Sequence, residues 1–294
     1  MKFSSILLPG LVCLACFFSC KKNQLDITPE TTLSDATVFT DSSTAYLFLN
    51  NIYNDLNAGP YISNSYNLPS EISNEPLDEY SDNSCYGPEA GTLAYTLFNN
   101  DSYGSSAAAQ IFNNQWTNMY ANIRACNLFI EKVNAANFQP GTTSSMIAQA
   151  RFLRAYFYKN LIDLYGGVPL ITKVLDNETQ GDSIFYPRSS YDSCVSFIQN
   201  ECTQAAANLP LTVSGVNIGK ATQGAALALK GEEELYAGKW QDAAATNMQI
   251  MQSGVYSLFP DYVGLFYMSN EDNQEVVFDI QYAANIKPDR KSVV

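Results

Sequence analysis

Five carboxylates crowd one stretch of this 294-residue chain: Glu71, Glu75, Asp78, Glu79 and Asp82. Glycoside hydrolysis needs two carboxyl groups held roughly 5–10 Å apart, and such a pair could be drawn from this set. Sequence spacing in a loop fixes no distance, so solvated loop acids are the plainer reading. Interleaved with them and running on to residue 103 are Tyr80, Asp82, Asn83, Tyr86, Tyr95, Asn99 and Tyr103. Their types suit a sugar: aromatic faces cover apolar C–H patches, while amides and carboxylates bond hydroxyls. These seven are the candidate ligand-binding residues, and packing of the loop itself competes with that role at each of them. Arg151 and Arg154 stand i,i+3 on a helical segment. They could hold a carboxylate ligand, but pairing with internal acids or helix-terminal carbonyls is the favoured role.

Other chemistry is excluded by composition. The chain has no histidine, which removes His-based general bases, Ser-His and Cys-His nucleophile systems, and His-ligated zinc or haem. A formal charge of -13, with no basic, aromatic-rich stretch, sets nucleic-acid binding aside. No catalytic residue, metal ligand or cofactor is assigned. Tyrosine is abundant, at 19 residues. Together with frequent asparagine it favours a neutral polar ligand such as sugar, although most of these tyrosines should sit half-buried between helices.

Residues 1–20, MKFSSILLPGLVCLACFFSC, read as an address. Lys2 is a short basic region, and Phe3 to Phe18 is apolar but broken by Pro9 and Gly10. That is shorter than the roughly 20 unbroken apolar residues of a membrane span and fits a secretory signal. Cys20 follows Ser19 at the end of the apolar run, directly before polar Lys21-Lys22-Asn23-Gln24. The arrangement resembles a bacterial lipobox, with Phe17 where Leu is usual and Cys16 as a weaker alternative. The expectation is a signal peptide over 1–19 and a Cys20 that is lipidated and anchors the chain to a membrane. Cys85, Cys126, Cys194 and Cys202 form no CxxC pair, so a metal knuckle is not expected. Cys126 and Cys194 fall on apolar helix faces as small core residues.

The elements that must position these groups are mostly helical. After an extended lead-in over 21–40, Asp41-Ser42 supplies N-cap types, and Ala45, Leu49, Ile52 and Leu56 recur at helical spacing. Residues 57–106 show no sustained period and read as a long structured loop. Phe112, Trp116, Met119, Ile123, Cys126, Ile130 and Val133 predict a helix over 108–134 that Pro140-Gly141 breaks. Met146, Ala150, Leu153, Phe157, Leu161 and Leu164 predict another over 144–165, stopped by Gly166-Gly167. A third begins near Ser189 or Ser190 and closes at Pro210. A helical pair follows over 222–236 and 240–251, and the alternation of Val276, Phe278, Ile280 and Tyr282 predicts a strand over 275–282. The 222–252 pair partly fits the tetratricopeptide pattern. Gly231, Gly238 and Ala243 would let two helices approach, and Trp240 would fill their groove. Such hairpins stack into a solenoid.

Several blocks together resemble one family. Gln149–Ile171, QARFLRAYFYKNLIDLYGGVPLI, is similar to its Arg-rich aromatic helix ending in Tyr-Gly-Gly-Val-Pro. Gly219–Asp261 resembles its following hairpin, and Glu275–Tyr282, EVVFDIQY, the strand after it. Trp116, Tyr120 and Asn127, and Leu25-Asp26 after the lipid cysteine, also fit. The resemblance is to SusD/RagB nutrient-uptake lipoproteins of Bacteroidetes-type bacteria. It implies a mainly α fold, a tetratricopeptide-like right-handed solenoid with long irregular loops and a short β element near the C-terminal end. It also implies an acyl anchor in the outer membrane, facing outward, and a complex with a SusC-type TonB-dependent barrel. The implied activity is capture of an oligosaccharide or other small nutrient without chemistry. A carboxylate-pair glycoside hydrolase and a helical-repeat protein scaffold are the alternatives.

Two departures from the family stand out. Its chains are longer, so 20–294 is expected to be an N-terminal helical-repeat portion. Asp289–Val294, DRKSVV, back-translates as GAT-CGG-AAG-AGC-GTC-GTG, a common library adapter, and is expected to be non-native. The second departure is Gly231-Glu232-Glu233-Glu234, where the family carries Ala, Arg, a branched apolar residue and an aromatic. Two carboxylates at core positions would be costly to bury unpaired. A rotated helix register, an exposed face and sequence errors are the three readings left open.

Overall fold

The computed structural model describes residues 38–58, 62–63, 74–75 and 106–281. Within them the chain is mainly helical. Helix α1 is Ser42–Asn54, α2 Ser106–Ala135, α3 Pro140–Tyr165, α4 Asn177–Gln180, α5 Tyr191–Ala206, α6 Gln223–Tyr236 and α7 Trp240–Gln252. Strands β1, Ile62–Ser63, and β2, Asn74–Glu75, form a two-residue antiparallel ladder with Ile62 opposite Glu75. The signal peptide, Cys20, all seven candidate ligand residues and residues 289–294 lie outside the described residues.

Local sequence explains the helix starts. The Asp41 carboxylate accepts from the N–H groups of Ser43 at 2.7 Å and Thr44 at 3.2 Å. Ser190 caps α5 and Thr222 caps α6 in the same way. Pro140 does more than end the preceding helix: it opens α3, four residues earlier than the periodicity predicts. It fits there because the first helical position needs no N–H donor.

The helices stack in chain order. α2 packs on α3, α3 on α5, α5 on α6 and α6 on α7, with α1 laid across α2 and α3. The predicted stripe of α1, and that of α2 from Trp116 onward, face this core, and Phe129, absent from the sequence stripe, joins them fully buried. Phe39, Phe48 and Phe129 form a ring cluster with centroids 5.5–6.0 Å apart. α3 departs from its predicted single stripe. Met146, Phe152, Leu153, Phe157, Tyr158 and Leu161 are buried on all sides, because α1, α2 and α5 enclose the helix. Cys126, Cys194 and Cys202 are buried free thiols, and burial raises the pKa of each.

The strand expected over 275–282 has no ladder among the described residues, and the expectation for Trp240 is corrected. The stretch 275–281 carries one bridge residue, Asp279, in place of a ladder. Its alternation still buries Phe278 and Ile280, and Phe278 meets Phe152 edge-on at 5.1 Å, but among the described residues no strand lies alongside to pair with it. Trp240 does not fill an interhelical groove: it is 65% exposed. α7 is the outermost helix described and buries only Ala243 and Thr246. The close approach of α6 and α7 rests on Gly231, where a Cβ would stand 2.6 Å from the Asn247 side chain.

After α3 the chain reverses through Gly166, at φ +67°, and Gly167-Val168-Pro169-Leu170-Ile171 runs back as a strap across α2, α3 and α5. Tyr120 donates to the Pro169 carbonyl at 2.8 Å, and Tyr158 donates to the Ile171 carbonyl at 3.0 Å and accepts from its N–H at 2.7 Å. Arg188 donates to the carbonyls of Tyr165 and Gly167 while stacking over Trp116. Gly167 admits no side chain, since a Cβ there would lie 2.2 Å from the Ser189 carbonyl oxygen. Gly167→Ala should therefore destabilise the protein by about 1–3 kcal/mol, read as a lower urea midpoint with an unchanged slope.

Candidate functional site

The best-matched charges of the sequence are consumed inside the fold. Glu201 on α5 receives Arg154 from α3 through Nε at 2.8 Å and Nη2 at 2.5 Å, both on Oε2. Arg151 reaches Oε1 at 2.5 Å. Arg154 Nη1 donates to Asn127 Oδ1 on α2 at 2.7 Å, and Asn127 Nδ2 donates to the carbonyls of Ile171 and Lys173. Arg154 and Glu201 are 5% and 2% exposed. The internal pairing expected for both arginines is what the structure contains, and their role is to clamp α2, α3, α5 and the strap. Arg154 is buried in this role, whereas the Arg151 side chain keeps a quarter of its surface exposed.

The Glu232–Glu234 departure has a defined place. The helix keeps its register, so rotation and exposure are both overturned for Glu233 and Glu234, which are buried in the core. Glu234 is paired, with Lys230 at 3.0 Å and Gln199 at 3.2 Å. Glu232 sits at the edge, 3.1 Å from Lys159, which also holds Asp163 at 2.8 Å. Glu233 has no hydrogen bond on either oxygen. Burial, followed by repulsion from Asp163, lifts its pKa from 4.5 to about 7, against the opposing pull of Lys159.

Concave surface lies elsewhere, on both sides of the 210–221 loop between α5 and α6. One cleft, about 280 Å³, is walled by this loop, Tyr256 and residues 272–279. Asp272 and Asp279 make it acidic. A second, about 440 Å³, opens between the loop, Tyr46 on α1 and Ser145 and Gln149 on α3. A latch forms its floor: the Tyr53 hydroxyl donates to Gln149 Oε1 at 3.1 Å and accepts the Ala221 N–H at 3.0 Å. Both volumes are near those of small-molecule sites, about 300–1,000 Å³. Sequence reasoning passed over these residues because they come from three separated segments and carry no motif. Among the described residues, no three His, Cys, Asp or Glu side chains cluster as metal ligands, and no helix is long and apolar enough to cross a membrane.

Comparison with known proteins adds the family context. A SusD-like family model described as "Starch-binding associating with outer membrane" matches residues 25–231. The SusD-like protein P25 of Formosa agariphila is 22% identical over 98% of this chain and 53% of its own length. A SusD-like protein from Bacteroides fragilis NCTC 9343 is 26% identical with a TM-score of 0.66, covering 86% of this chain and 46% of that one. A SusD-like carbohydrate-binding protein from the same strain is 25% identical with a TM-score of 0.65, covering 85% and 48%. The chain thus spans about half the length of the curated relatives it matches.

Two of the buried carboxylates, Glu201 and Glu233, respond oppositely to change. Glu201→Ala strands the Arg154 guanidinium and should cost about 3–5 kcal/mol, seen in equilibrium unfolding. Glu233 binds its proton more tightly folded than unfolded, so its contribution is most favourable below pH 4.5 and is lost as pH rises through about 7. Glu233→Val should flatten that decline and raise the melting temperature above pH 7. A melting curve equally pH-dependent with and without Glu233 would count against the assignment.

Proposed function

This chain belongs to the SusD-like family, and from that premise we propose that it captures glycans at the outer-membrane surface without transforming them. The family match over residues 25–231 carries the reading. The structure supports it by directing the strongest charged residues, Arg151, Arg154 and Glu201, to hold helices together and by leaving polar clefts at the surface. In this reading the stacked helices are a tetratricopeptide-like right-handed solenoid, a rigid scaffold for binding loops. Gly231 against Asn247 and packing of each helix on its chain neighbour are consistent with it. The short C-terminal β element belongs to a longer chain in which residues 275–282 find a partner strand.

The anchor and the partner complete the proposal. Residues 1–19 are a signal peptide, and Cys20 carries the lipid that tethers the protein facing outward. A SusC-type TonB-dependent barrel receives the captured oligosaccharide. The segment containing Tyr80, Asp82, Asn83, Tyr86, Tyr95, Asn99 and Tyr103 contributes aromatic and amide contacts to the ligand. No cofactor takes part, and nucleic acid is not a ligand.

Titration of the protein with a panel of oligosaccharides, followed by chromatography of the recovered sugar, tests this directly. The expected result is saturable binding with the sugar recovered intact. Turnover that disappears when the Glu71–Asp82 acids are replaced would establish the hydrolase instead. Co-purification of a soluble protein in place of a barrel, with no sugar bound, would establish the scaffold.

A further inference from the structure

Most of the cations that the described residues draw out of full exposure have a polar partner. Lys159, Lys230, Arg151 and Arg154 each meet a carboxylate. Lys239 and Arg188 meet hydrogen-bond acceptors. Lys220, half-buried in the 210–221 loop, meets neither among the described residues. Its ammonium lies 5.1 Å from the centroid of the Tyr46 ring. Lys220 lines both clefts, and its ammonium lies over Tyr46, which lines the 440 Å³ cleft and not its acidic neighbour. Burial lowers the Lys220 pKa, which is the cost of holding a cation there.

The rest of that cleft points the same way. Among the described residues its lining contains no Asp or Glu, in a chain of net charge -13. On the floor, Gln149 spends its carbonyl on Tyr53. One amide N–H makes only a long contact, 3.4 Å, to the Ser145 carbonyl. An amide nitrogen carries two donors, and the second has no partner among the described residues. Tyr53, Gln149 and the Ala221 N–H bond to one another, so the floor keeps its shape without a ligand. A prebuilt recess with an unpaired cation and a spare amide donor is complementary to an anion.

We propose that this cleft binds an anionic saccharide, carboxylated or sulfated, with Lys220 taking its charged group and Gln149 an adjacent oxygen. The inference rests on the glycan-capture reading and adds the charge of the sugar to it. Tyr46 orients the Lys220 ammonium from below and contributes an apolar edge to the cleft.

Calorimetric titration of the protein tests it, using an oligogalacturonide, the same oligosaccharide with its carboxyls reduced to alcohols, a sulfated oligosaccharide and free glucuronate. The charged oligosaccharide should bind about tenfold more tightly than its reduced form, with the gap narrowing as salt is added. Lys220→Met keeps most of the aliphatic stem and should erase the gap while leaving the melting temperature unchanged. Lys220→Arg should largely restore it. Binding of the sulfated but not the carboxylated sugar, or the reverse, identifies the anion and upholds the site. Equal affinity for charged and reduced forms, or a preference that survives Lys220→Met, overturns this inference and leaves glycan capture standing. Lys220-dependent binding of glucuronate with no oligosaccharide bound upholds the anion site and overturns glycan capture. Absence of all binding overturns both.

Discussion

The ion pair between Arg154 and Glu201 sets the terms on which the other helices pack. Taking both charges out of water costs several kcal/mol per ion, and the attraction between them repays this only with good geometry and additional hydrogen bonds. Those bonds fix distances among α2, α3 and α5, because Asn127, Arg151, Arg154 and Glu201 come from all three. Asn127 extends the network to the carbonyls of Ile171 and Lys173, so the strap after α3 is registered by the same charges. Apolar packing alone would tolerate sliding of these helices; a planar guanidinium shared between a carboxylate and an amide does not.

The remaining features follow from that fixed frame. α3 can be buried all round because each neighbour has one allowed position against it. The Tyr-Gly-Gly-Val-Pro turn is held by polar contacts to tyrosine and arginine rather than to a ligand. Gly166 supplies a backbone angle and Gly167 an empty space. Beyond α5 the frame loosens. α7 packs chiefly on α6, and Trp240, Met251, Tyr262 and Phe266 are exposed.

Electrostatics divide the molecule into two regimes. At the edge of the core, the α3–α6 junction gathers Lys159, Asp163, Glu232 and Glu233, and burial there raises the Glu233 pKa to about 7. At the surface, Lys220 on the 210–221 loop borders both an acidic cleft and one that, among the described residues, is lined by no acid. The loop therefore offers two concave faces of opposite character, a few residues apart in sequence. A saccharide that suits one is poorly matched to the other.

The sequence by itself determined where the helices lie and which faces they bury. Spacing of three and four places Ala45, Leu49 and Ile52, or Met119, Ile123 and Cys126, on one side irrespective of what covers them, and Asp41, Ser190 and Thr222 cap by local hydrogen bonds. It also carried the family resemblance, which was written in contiguous blocks. The candidate site was far less legible: the seven ligand residues chosen by type lie outside the described residues, whereas Lys220, Tyr46, Tyr53 and Gln149 share no block, period or motif. Tertiary structure alone decided that Glu233 would be orphaned while Glu234 found Lys230, since both sit on the same helical turn and differ only in what faces them. It alone decided that Phe278 would bury edge-on against Phe152, because alternation names the face that leaves water and not its neighbour. Local periodicity encodes the side of an element that leaves water; which partner waits there is a property of chain segments brought together over long separations.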